Sequence, residues 1–131
     1  ICHLPGNAKV QAAMSTKEHC AILISYSGET NYIIDVAKIL KNMQTPIIAI
    51  TSIADNNLSK LADVTLRISS REMLLTKIGD FATTTSIKYI LDTLYAGIFS
   101  FDYQKNLDYK IQIAKLVDDR HSGYEFIDED E

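Results

Sequence analysis

The ten residues Ala21-Ile22-Leu23-Ile24-Ser25-Tyr26-Ser27-Gly28-Glu29-Thr30 decide how this chain is read. Four apolar or small residues run into Ser-Tyr-Ser-Gly-Glu-Thr, and a segment of helical periodicity follows at once. The pattern predicts a buried strand that ends in a hydroxyl-rich turn and opens directly into a helix. Helix N-termini carry unpaired backbone N–H groups and the positive end of the helix dipole. The hydroxyls of Ser25, Ser27 and Thr30, added to those amides, make a neutral cradle suited to a phosphate group. Gly28 allows a tight turn and a close backbone approach to an anion. The loop holds no lysine and the chain has no GxxxxGK[ST], so a nucleotide P-loop is excluded. A plainer reading stays open on these residues alone: an ordinary N-cap, with Ser27 or Thr30 satisfying the first-turn amides.

Working outward, Asn31–Met43 is amphipathic, with Ile33, Val36, Ala37, Leu40 and Met43 along one stripe. Pro46–Thr51, PIIAIT, predicts a second buried strand with proline at its first position. Ser52–Asn57 is a polar turn, and Leu58–Leu61 one helical turn. Val64, Leu66 and Ile68 alternate with Thr65 and Arg67, which predicts a half-exposed strand toward a sheet edge. From Leu74 to Phe101 there is no proline, and Ile87, Leu91, Leu94 and Ile98 recur at helical spacing. A long buried helix is expected there, or two joined near Gly79. A last amphipathic helix carries Leu107, Ile111, Ala114 and Val117. Upstream, Ile1–Leu4 reads as a short strand stopped by Pro5-Gly6, and Asn7 as the cap of a short helix through Met14.

Strand and helix alternate with short connections, which predicts an α/β domain with a parallel sheet. Ligands of such sheets bind beyond the carboxyl ends of the strands. Ser25-Tyr26-Ser27 and Thr51-Ser52 both fall at such ends.

The 131 residues suffice for one domain with a substantial core, and 47% are hydrophobic. No run approaches the roughly 18 apolar residues of a membrane span. No signal peptide is visible, and Cys2 and Cys20 form neither a CxxC nor a metal spacing, so a reducing cytoplasm is expected. A net charge of −4 argues against a nucleic-acid surface on this domain. The acidic residues Asp128-Glu129-Asp130-Glu131 read as a solvated tail. The first residue is isoleucine rather than methionine, so a piece of a longer protein is expected.

AILISYSGET, then PIIAITSIADNNLSKLADVTLRI, then a long helix ending near FDYQKN, resembles the SIS (sugar isomerase) domain, most of all that of RpiR-type bacterial transcriptional regulators. The resemblance covers roughly residues 1–115. The strand-end Thr-Ser and the segment Leu58, Leu61, Ala62, Asp63 strengthen it. It implies a flavodoxin-like, three-layer SIS fold, here lacking its first strand and helix, with residues 1–118 as the phosphosugar-binding domain and 119–131 as the acidic tail. It implies that Ser25, Ser27 and Thr30 hold the phosphate by their hydroxyls and that Tyr26 and Gly28 contribute backbone amides. Thr51 and Ser52 match the second loop, near the sugar phosphate. Glu29 fills the motif's acidic slot, with helix-dipole placement and ligand contact both open.

The resemblance further implies a phosphosugar effector and a homo-oligomer, with Ala96, Gly97 and Phe101 as candidate helix–helix contacts. DNA would be reached only through an N-terminal helix-turn-helix domain that this chain does not contain. No cofactor or metal is expected: His3, His19 and His121 share no ligand spacing. Glu72, just after the edge strand, is a possible proton-transfer base, and a surface acid at a helix entry is the plainer reading. Tyr89, Tyr95, Phe99 and Phe101 are expected in a core or an interface. Aldose–ketose isomerisation needs a base and a ring-opening acid. No such pair is matched, so no catalytic residue is assigned. Effector sensing without turnover is the leading expectation, with a sugar-phosphate isomerase as the alternative.

Overall fold

Two successive strand–helix–strand units force neighbouring strands to run the same way, because each helix carries the chain back to the starting edge of the sheet. The structure, a computed structural model, shows this arrangement and describes residues 5–68, 79 and 81–117. Eight elements follow in order: α1 (Pro5–Ala13), β1 (Ala21–Ile24), α2 (Asn31–Asn42), β2 (Ile47–Ser52), α3 (Asn57–Leu61), β3 (Val64–Ile68), α4 (Phe81–Ser100) and α5 (Tyr103–Val117). The three described strands form one parallel sheet in the order β1-β2-β3. The chain divides into two compact units, one through Leu91 and one from Asp92.

In the first unit the core lies where α2 and α3 cover β1 and β2. Val36, Ala37 and Leu40 on α2, Leu58 on α3, and Ile47 and Ala49 on β2 are buried together with Ala12. The α2 stripe is therefore the predicted one, except that Met43 lies past the helix end and is exposed. β2 is buried along nearly its whole length, as expected of a central strand. β1 alternates instead: Ala21 and Leu23 pack on the core, while Ile22 and Ile24 are partly exposed on the other face. The difference follows from position, since β1 has only one neighbour among the described strands.

The helix α2 ends in a Schellman arrangement. Thr45 donates to the Leu40 carbonyl and Gln44 to the Lys41 carbonyl. Gln44 takes the left-handed position usually held by glycine, with φ 57°. At the amino end of β2, away from the carboxyl ends of the strands, Asp63 accepts the Ile47 backbone N–H at 2.8 Å. That bond holds the Asp63 carboxyl below the ordinary aspartate value, and Lys41, 3.6 Å away, adds to the shift. Asp35 is held low by its hydrogen bond and ion pair with Lys9, which fastens α1 to α2.

Two expectations are corrected. Pro5-Gly6 opens α1, where proline's fixed φ and missing N–H suit the first helical position. The helix therefore starts two residues before Asn7. The long helix is not buried: within the described part of α4, Thr83 is the buried residue, and Tyr89, Tyr95, Ile98 and Phe101 at its end are exposed. The expected strand at Ile1–Leu4, the segment Leu74–Ile78, Glu72, His3, His121 and the tail at 119–131 lie outside the described residues.

In the second unit, the end of α4 and α5 carry a run of ring contacts. Tyr95 and Phe99 lie 5.9 Å apart between ring centroids, and Phe99 meets Tyr103 edge-on at 5.5 Å. Asn106 donates to the Phe99 carbonyl, tying α5 back to α4. No residue of α5 is buried.

Candidate functional site

Because β1 and β2 are parallel and adjacent, their carboxyl ends lie side by side. Ile24 is in register with Ile50. Beyond that pair, Ser25 N–H donates to the Ile50 carbonyl and Ser52 N–H to the Tyr26 carbonyl. The topology thus brings the 25–30 loop against Thr51 and Ser52, residues that lie more than twenty positions away in sequence.

Within the loop the hydroxyls are organised by the turn. Ser25 is 7% exposed, and its Oγ lies 3.1 Å from Thr30 Oγ1. The Gly28 N–H donates to the Ser25 carbonyl and to Ser25 Oγ. Ser27 Oγ accepts the Glu29 N–H at 3.2 Å. Thr30 is the N-cap residue of α2, yet its side chain makes no capping bond. Its hydroxyl pairs with Ser25 instead. The simple-cap reading therefore fails at Thr30, and Ser27 serves a local turn rather than the first turn of α2.

Gly28 has φ +67°, a left-handed conformation that costs an ordinary residue about 1–2 kcal/mol. Space adds a second constraint. A Cβ at position 28 would run into the side-chain amide of Asn56. Asn56 is 4% exposed and satisfied on every side. Its Nδ2 donates to Thr51 Oγ1 at 2.9 Å and to the Ala54 carbonyl, and its Oδ1 accepts the Ser59 N–H in a reciprocal capping box. Thr51 is fully buried, and its hydroxyl also reaches the Tyr26 carbonyl at 3.3 Å. It sits beneath the loop rather than at its surface.

The second loop is fastened from β3. The Arg67 guanidinium donates to the Ser52 and Ala54 carbonyls at 3.0 and 2.6 Å and pairs with Asp55. Glu29 reaches across to the same loop, accepting the Asn57 N–H at 2.8 Å and Asn57 Nδ2 at 2.7 Å. It is therefore held by Asn57 as well as placed near the α2 N-terminus, while remaining exposed. Asn56, Asn57 and Arg67 were not singled out by the sequence. The N-x-x-S spacing of Asn56 and Ser59 just before an apolar turn was a usable capping signal, whereas nothing local marks Arg67.

The assembled site offers hydroxyls and backbone amides without a lysine in the loop, which suits an anion bound by hydrogen bonds. His19, the described histidine, accepts the Thr16 N–H before β1 begins, away from these strand ends. Among the described residues no cluster of three or more His, Cys, Asp or Glu could hold a metal ion. Among the same residues no helix is long and apolar enough to cross a membrane.

Fold and loop together define a parallel α/β domain with a hydroxyl-and-amide loop at its strand ends. Residues 3–93 match the SIS domain model, and the chain belongs to that family. Among its relatives are two uncharacterized HTH-type transcriptional regulators. The one from Thermotoga maritima is 35% identical over 92 residues, covering 69% of this chain and 32% of the regulator. The one from Clostridium perfringens is 26% identical over 108 residues, covering 82% and 38%. The chain thus spans about a third of the length of these regulators. Among solved structures, Vibrio vulnificus NanR complexed with ManNAc-6P superposes with a TM-score of 0.76 at 21% identity, over 91% of this chain and 46% of NanR. A candidate sugar-phosphate isomerase from Listeria monocytogenes superposes with a TM-score of 0.66 at 23% identity, over 86% and 58%. These two likenesses establish the shared fold.

Proposed function

We propose that this chain is the phosphosugar-binding, effector-sensing domain of an RpiR-type transcriptional regulator. The observation that carries the reading is Thr30: the N-cap residue of α2 leaves its helix without a side-chain cap and turns its hydroxyl to Ser25. Helix-end amides without a side-chain cap beside converging hydroxyls suit a bound phosphate. Ser25, Ser27 and Thr30 then hold the phosphate by their hydroxyls, Tyr26 contributes a backbone amide, and Gly28 permits the close approach. Ser52 faces the sugar end, and Thr51 acts from below through Tyr26 and Asn56. The phosphosugar seen on NanR and the regulator names of the sequence relatives support this assignment.

In the whole protein, DNA contact falls to a helix-turn-helix domain outside residues 1–131, and the regulator works in the cytoplasm as a homo-oligomer. The exposed, nearly uncharged surface of α4 supports self-pairing: of its twenty residues only Lys88 and Asp92 are charged. A helix apolar on several faces needs more than one covering surface. The domain binds and does not turn over its ligand.

The test is calorimetry with a panel of hexose and amino-sugar 6-phosphates and their dephosphorylated forms. At least one phosphosugar binds, and its dephosphorylated form binds far more weakly. Ser27→Ala weakens binding by about 1.5–3 kcal/mol, the contribution of a hydrogen bond to a charged group. Equal affinity for sugar and sugar phosphate overturns the reading. Appearance of a ketose phosphate from an aldose phosphate in the same mixture replaces it with the isomerase reading.

A further inference from the structure

A carboxylate in a loop that binds phosphate is an electrostatic liability, because like charges a few ångströms apart repel. Glu29 occupies such a place between Gly28 and Thr30. Its geometry resolves the conflict. Both carboxylate oxygens are engaged by one residue of the opposite loop, Oε1 by the Asn57 N–H and Oε2 by Asn57 Nδ2. Hydrogen bonds to an ionised acceptor are short and strong, and a two-point contact also fixes orientation.

The contact is the outermost of a series. Tyr26 accepts from Ser52 N–H, Gly28 accepts from Leu58 N–H at 3.0 Å, and Glu29 accepts from Asn57. Asn56 fills the space under Gly28 that a side chain would otherwise take. The 25–30 loop is therefore stitched to the 52–58 segment at Tyr26, Gly28 and Glu29. We propose that Glu29 is a positioning residue: acting through Asn57, it docks the α3 entry onto the anion loop and keeps the Ser25, Ser27 and Thr30 hydroxyls in one preformed arrangement. This rests on the reading of the loop as the phosphate site. Preorganisation of this kind raises affinity by removing the cost of ordering the loop on binding. Asn57 draws the carboxylate toward itself, so the acid supports an anion site instead of opposing it.

The proposal fixes the sign of an effect. If Glu29 were a free surface acid, removing its charge would strengthen anion binding. If it positions the loop, removing it weakens binding. The experiment titrates the 131-residue chain with inorganic phosphate, following backbone amide resonances of residues 25–30, for wild type, Glu29→Ala, Glu29→Gln, Asn57→Ala and the Glu29→Ala/Asn57→Ala pair. Glu29→Ala is expected to weaken phosphate binding at least fivefold despite the lost negative charge. Glu29→Gln, which keeps one acceptor oxygen, falls between. The double variant is no weaker than the Glu29→Ala single, because the two residues act as one contact. Hydrogen exchange on the same samples follows the Leu58 amide, bonded to Gly28, and the Leu40 amide inside α2. Glu29→Ala is expected to speed exchange at Leu58 about tenfold and leave Leu40 unchanged. Unchanged Leu58 exchange, or phosphate affinity equal to or above wild type, overturns the proposal. Wild-type protein that binds neither phosphate nor any sugar phosphate overturns the phosphosugar reading instead, while the exchange measurement still decides whether Glu29 holds the loop.

Discussion

The sheet of the first unit and the helical segment from Asp92 through α5 both carry apolar residues, to opposite effect. On β2 and α2, Ile47, Ala49, Val36, Ala37 and Leu40 find partners within the chain and lose nearly all contact with water. On α4 and α5, Tyr95, Ile98, Tyr109 and Leu116 remain largely exposed. Both regions show apolar periodicity in sequence, so periodicity alone does not distinguish an internal core from an exposed face. The distinction lies in geometry. A central parallel strand has neighbours on both edges and a helix across its face, whereas α5 meets the end of α4 through the Phe99–Tyr103 ring contact and the Asn106–Phe99 hydrogen bond and buries no residue.

The sharpest way to test this contrast is a pair of matched truncations. Ile47→Ala, at 0% exposure, is expected to destabilise the chain by about 2–5 kcal/mol in urea denaturation, since a cavity opens in close-packed surroundings. Ile98→Ala, at 65% exposure, is expected to change monomer stability by no more than about 0.5 kcal/mol. In sedimentation the same Ile98 change shifts the chain toward monomer. A loss at Ile98 as large as that at Ile47 in dilute monomer erases the contrast between the two regions.

A smaller effect is expected at the loop that the sheet unit supports. Gly28→Ala combines an unfavourable φ with a collision against Asn56, and is expected to cost about 1–3 kcal/mol of stability. Anion binding is lost with it, because either Asn56 or the loop must move. Stability equal to wild type shows that Asn56 gives way easily and that the loop is less firmly seated than the core.

The smallest effect is electrostatic and confined to the sheet unit. Asp63 has a folded-state pKa below its ordinary value of 3.8, chiefly through the Ile47 N–H. A lowered folded pKa means that its contribution is present above the unfolded value and is lost as pH falls through the folded one. Thermal unfolding followed from pH 6 down to pH 2 should therefore show a loss for wild type below about pH 4 that Asp63→Asn reduces. An identical acid profile for the two proteins places the acid lability elsewhere, Asp35 with Lys9 being the other described candidate.

Much of the fold is legible in residues 21–68. The extents of β1, α2, β2, α3 and β3 follow the apolar runs and polar breaks to within a residue or two, because each is a short segment between strong punctuation. The start of α1 was misplaced because Asn7 is a good cap by chemistry, whereas Pro5 is equally suited to the first helical position and takes it in the folded chain. The burial of α4 was overestimated because a helix with only two charged residues reads as apolar, whereas every residue of it but Thr83 is exposed or half-buried. At the site, Ser25, Ser27, Gly28 and Thr30 stand together in sequence and could be grouped by local chemistry. Asn56, Asn57 and Arg67 could not, since their roles depend on which loop lies beside them.

The amino-acid sequence by itself determined the parallel α/β class, the hydroxyl loop at the end of β1 and the need for glycine at position 28. These are local consequences of apolar periodicity, side-chain chemistry and turn geometry. Tertiary structure alone decided that Thr51 lies beneath the loop, that the Glu29 carboxylate is held by Asn57, and that Arg67 fastens the second loop. Those facts arise from parallel strand register, which sets residues remote in sequence within hydrogen-bond distance and fixes which polar atoms are already paired before any ligand arrives.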